Sequence, residues 1–180
     1  MGIRSLKTAS ISTGVKRSKV WDQSATTVVP NSYESISTVT VGSGGTGTVT
    51  FSSIPSTYKH LQLRVFAQTD RGTYGIDEAH MRFNSDTGSN YAAHRTFGNG
   101  ATTSSSAETT QTGFLVGSGC LGTTTGGQFG INIIDILDYA STNKYKTTRT
   151  LSGTDHNGAQ YGSIGGRVGL NSSLWMNSAN

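Results

Sequence analysis

Cysteine is almost missing from this chain: Cys120 stands alone among 180 residues, so no disulfide within the chain and no Cys-based zinc site can form. Charge is also scarce. Charged residues make up 13% and hydrophobic ones 33%, below the roughly 25% and 45–50% of ordinary soluble domains. The low charge excludes the charge-rich kind of disorder. No apolar run is long enough to span a bilayer, and no apolar stretch follows the start to make a signal peptide, so neither membrane insertion nor signal-directed secretion is expected. No segment shows helical periodicity with caps. A nucleophile elbow GxSxG, a HExxH pair and closely spaced carboxylates are all lacking, and with them the usual marks of a hydrolase.

What fills the space is Ser, Thr and 24 Gly, the composition of many short strands joined by polar turns. The clearest stretch runs from Thr46 to Gln68. Val49 and Phe51 alternate with Thr48 and Thr50, a turn around Pro55 follows, and then Leu61, Leu63, Val65 and Ala67 alternate with His60, Gln62, Arg64 and Phe66. One face of that second run is wholly apolar and the other mixed, as in a central strand.

Around it the pattern predicts a hairpin of residues 33–41 and 48–52 about a Gly-rich loop, then strands at 79–83 and 91–97 flanking a dense turn signal. Residues 98–106 read as an exposed loop. Further strands are expected at 129–139, where apolar residues of both parities imply cover on both faces, at 144–151 and at 160–170, with one more begun at 173–176. The reading is all-β, a jelly-roll-like antiparallel β-sandwich occupying residues 31–180. The apolar core is thin for this length, and association of copies is the natural remedy. An open sheet edge would let a neighbouring chain complete the sandwich.

Charge is unevenly placed. Of the 14 Lys and Arg, five precede residue 31, namely Arg4, Lys7, Lys16, Arg17 and Lys19, against Asp22 alone among the 10 acidic groups, which leaves nine of each sign in the rest. Residues 1–30 therefore read as an extended basic arm whose apolar positions fit no helix or strand period. Ile3, Leu6 and Trp21 are candidate anchors for another protein, and the five cations add charge contacts. Five charges without a folded basic stripe do not make a specific nucleic-acid site.

Three constellations look chemical, and for each the bland reading is the expected one. Gly117, Gly119 and Gly122 match the dinucleotide fingerprint, but residues 123–128 are too rich in Thr and Gly to form the helix that would meet a pyrophosphate. His60, His80, His94 and His156 show no ligand spacing, so no metal or cofactor is expected. Asp135 and Asp138 have an odd separation, which puts them on opposite faces of a strand. Loop and strand-end aromatics Tyr74, Tyr91 and Phe97 are candidates for stacking on a sugar ring.

The stretches FSSIPSTYKHLQLR, MRFNSDTGSNYAAHR and MGIRSLKT resemble small virion proteins of tailed bacteriophages, variously tail fibre, head fibre or decoration proteins, in which an arm precedes a β-sandwich. The resemblance implies a non-enzymatic structural component of the virion, a homotrimer held to capsid, neck or tail proteins by its arm. A carbohydrate-binding module that reads host surface glycans is the alternative expectation.

Overall fold

The computed structural model describes residues 33–71, 76–98, 102–116, 120–121, 128–155 and 166–176, without the side chains of 76, 120, 121, 155 and 166–171. The eight arm candidates, Tyr74 and His156 lie outside the described residues. The chain divides after Ile54 into two units.

In the first unit, residues 33–54 contain no strand. The expected Gly-rich loop is present: Gly45 N–H donates to the Gly42 carbonyl at 3.0 Å, with Gly45 in the left-handed region at φ 69°. The ladder that should follow it is absent. Ile36, Val39, Val41 and Val49 are 41–48% exposed. The expected hairpin of 33–41 and 48–52 is therefore not formed, as befits two strands whose apolar face is exposed, since an isolated two-stranded hairpin is marginal in water.

The second unit is all-β, with no helix among its described residues. Its described residues hold ten strands, β1 Leu61–Gln68, β2 Ile76–Asp77, β3 His80–Met81, β4 Tyr91–Gly98, β5 Thr103–Gln111, β6 Phe114–Leu115, β7 Cys120–Leu121, β8 Gly130–Leu137, β9 Lys146–Asp155 and β10 Gly166–Trp175. Eight form one sheet in the order β2-β7-β1-β8-β9-β10-β4-β5, and β3 with β6 makes a small second sheet. From β1 to β5 the large sheet is antiparallel throughout; β7 joins β1 in parallel at the far end. The expected central strand thus lies inside the sheet, between β7 and β8. The expected loop at 98–106 differs: from Thr103 it is edge strand, held to β4 by pairs such as Arg95↔Ser106.

Register sorts the side chains between two faces, because directly opposed residues point the same way. The inner face carries Leu61, Leu63 and Val65 opposite Ile136, Ile134 and Asn132, and these continue into Thr148, Thr150 and Ser152 on β9. Its apolar end is an aromatic cluster. Tyr91 and Phe83 each meet Phe114 edge to face, with centroids 5.0 and 5.2 Å apart, and Tyr91 stacks on Trp175 at 6.2 Å. The small sheet supplies Phe114 and Met81 to this core.

The turn before β4 is bonded into that cluster. Asn84 and Ser85 adopt left-handed φ of 49° and 59°, which turns Asp86 inward. Its Oδ2 accepts from Trp175 Nε1 at 2.7 Å and from Asn90 Nδ2 at 2.9 Å, while Oδ1 accepts from Gly88 N at 2.8 Å. The Tyr91 hydroxyl donates to the Asp86 carbonyl at 3.0 Å and accepts from Phe83 N at 3.2 Å. A Cβ on Gly88 would lie 2.7 Å from Asn90 Nδ2, so a side chain there would have to push that amide away from Asp86.

Candidate interaction surface

The outer face of the large sheet carries what the inner face does not use. Phe66 on β1 opposes Ile131 on β8, and Ile133 on β8 opposes Leu151 on β9. Phe66 is 70% exposed and Leu151 49%, and Phe129 just before β8 is exposed as well. Four apolar residues on three adjacent strands therefore form one open patch.

A polar row runs beside it. Gln62, Asp135 and Arg149 are register partners across the same three strands. Gln62 Nε2 donates to Asp135 Oδ1 at 2.8 Å, Arg149 donates to Asp135 Oδ2 at 2.8 Å, and Arg64 Nε donates to Gln62 Oε1 at 2.8 Å. The bonds from Gln62, then Arg149, hold the Asp135 carboxyl below its usual range. The patch and its border have the anatomy of a protein interface, apolar at the centre and polar at the rim.

Elsewhere several ionisable groups are tied into ion pairs and hydrogen bonds. Arg95, on the inner face of β4, is clamped by Glu78 at 2.6 Å and Glu108 at 2.9 Å, while its Nε donates to Ser106 at 2.7 Å. For Asp77, burial would raise the carboxyl, but bonds from Arg71 and the Glu78 N–H outweigh it and keep it low. Lys144, bonded to Asp138 at 3.2 Å, lowers that carboxyl. Lys146 is buried, its Nζ donating to the Lys144 carbonyl at 3.0 Å and to that of Ser141; burial lowers its pKa.

The aromatic candidates separate. Tyr91 is 0% exposed and part of the core, so neither ring face is open to a sugar. Phe97 is half-buried, with the Arg95 guanidinium 6.0 Å from its ring centroid. His60 accepts from Asp138 N–H at 3.0 Å through Nδ1, His94 is exposed on β4, and no group of three or more potential metal ligands occurs among the described residues. The β4–β5 surface has a shallow open depression lined by His94, Arg95, Thr96, Ser105, Ser106 and Ala107.

Sequence reasoning missed the outer patch although its signal was present: Phe66 on the mixed face of β1, and a β8 that is apolar on both faces. The expected cover on both faces of β8 differs from what the described residues show, with Ile131 and Leu137 exposed on the outer face. Comparison with protein-family models, curated proteins and solved structures finds no match.

Proposed function

We propose that this chain is a non-enzymatic structural component of a tailed-bacteriophage particle, with a jelly-roll-like sandwich domain, assembled as a homotrimer and attached to capsid, neck or tail through residues 1–30. Ile3, Leu6 and Trp21 are its apolar anchors, and Arg4, Lys7, Lys16, Arg17 and Lys19 supply charge contacts. Among the described residues, the carboxylates fit the non-enzymatic part. The carboxylates with displaced pKa values, Asp77, Asp135 and Asp138, are all displaced downward by cations or hydrogen bonds, the condition of structural struts. A general acid at neutral pH needs the opposite displacement. The particle reading itself rests on the three sequence stretches that resemble virion proteins.

The experiment adds purified chain to particles assembled without it. The full chain should sediment with the particles, and a chain lacking residues 1–30 should stay in the supernatant while keeping its β circular-dichroism signal. An arm-deleted chain that still associates would remove the attachment role.

A further inference from the structure

Two surfaces, one in each unit, present exposed apolar side chains. On the outer sheet face, β8 has Ile131 37% and Leu137 43% exposed, although Ile134 and Ile136 on its other face are buried. A strand apolar on both faces is suited to cover on both. In the other unit, residues 33–54 hold the alternation of an amphipathic hairpin, with Val39 and Val41 against Thr38 and Thr40, and Val49 against Thr48 and Thr50. They form no strand, and Val39, Val41 and Val49 are 48%, 46% and 43% exposed.

We propose that residues 33–54 of one copy dock on the outer face of β1, β8 and β9 in a second copy, their valines covering Phe66, Ile131 and Leu151. Size agrees. The open parts of Phe66, Phe129, Ile131 and Leu151 come to roughly 400 Å² of apolar surface, taking about 200 Å² for a whole aromatic side chain. That suits the apolar centre of an ordinary interface, which takes about 800 Å² from each partner, somewhat over half of it apolar.

In length, the arm 33–41 would span on the order of 30 Å and the arm 48–52 about 17 Å, so the segment lies along most of eight-residue β1 and β8. Charge is complementary. The segment's one charged residue is Glu34, and the rim of the patch carries Arg64 and Arg149 against Asp135. Because the docking segment and the accepting face differ, the contact is head-to-tail, and it makes a ring where the rotation between copies closes. The inference stands on these two surfaces and does not depend on the particle reading.

The test uses the full chain and two variants with substitutions at exposed positions. A segment variant carries Val39→Asp and Val41→Asp; a face variant carries Phe66→Ser and Leu151→Thr. By light scattering the native chain should show a mass at least twofold above the 18.9 kDa of one chain, and each variant alone should fall to the single-chain mass. Mixing the variants should restore a 1:1 complex, because one keeps its face and the other its segment. A monomeric native chain, an oligomer that survives either set of substitutions, or variants that stay apart when mixed would overturn the proposal. A second readout needs no substitution: amide exchange at residues 37–41 and 48–52 should be at least tenfold slower in the assembled native chain than after dilution to monomer. Equal rates would overturn it as well.

Discussion

Asp86 should be the most sensitive polar position in the fold. Removing its carboxylate with Asp86→Ala strands Trp175 Nε1, in a side chain 1% exposed, and frees Asn90 and the Gly88 N–H. A buried donor left without a partner costs about 1–3 kcal/mol, and bonds to a charged group are worth about 1.5–3 kcal/mol each. Gly88 is exposed and regains its bond from water, so the expected loss is about 3 kcal/mol rather than the sum of the bonds. Asp86→Asn keeps the shape but turns an amide N–H₂ toward donors, since both carboxylate oxygens accept here. Its cost should be about 2–3 kcal/mol, close to that of the alanine variant. Urea unfolding followed by far-UV circular dichroism measures both. In a Trp175→Phe background the penalty of Asp86→Asn should shrink by about 1 kcal/mol or more, a coupling expected of residues in direct contact. An Asp86→Asn protein within 0.5 kcal/mol of the native one, by the scale that separates ordinary surface changes from network losses, would refute the reasoning.

Other consequences follow from the same geometry. Asn132 is fully buried with neither its amide nitrogen nor its oxygen partnered, so Asn132→Val should stabilise the fold by about 1–2 kcal/mol; a loss above about 1 kcal/mol in urea unfolding would show that the amide is needed. Asp135 has a folded pKa below the ordinary 3.8, so its contribution is present above that value and is lost as pH falls through the lower folded pKa. Asp135→Asn should therefore flatten the acid limb of a stability profile below about pH 4, and an unchanged limb would contradict this. Gly88→Ala should lower stability by about 1 kcal/mol or more through overpacking against Asn90, checked by the shift of the thermal midpoint.

Much of the sheet could be read from alternation alone. β1 and β4 follow the period-2 pattern of Leu61 to Ala67 and Tyr91 to Phe97, and β8 shows as a short apolar run with both parities filled, Ile131 to Leu137. The edge strand β5 could not be read this way, because Ser and Thr occupy both of its faces and leave no apolar rhythm; its ladder with β4 decides it. Trp175 was read as opening a new strand and instead closes β10, a matter of Gly-rich residues before it giving no parity. The role of Tyr91 depends on Asp86 reaching Trp175 across 89 positions, a contact that local patterning does not carry. For the interaction surface the residues were visible and the state was not. Phe66 and the two-faced β8 announced buried positions, whereas whether the cover comes from the same chain is a property of the folded molecule.

The measurement that tests the account most directly is the solution mass of the purified full chain by light scattering at two concentrations. The account predicts three copies of the 18.9 kDa chain at the higher concentration, falling only on dilution. A single-chain mass at both concentrations would contradict it.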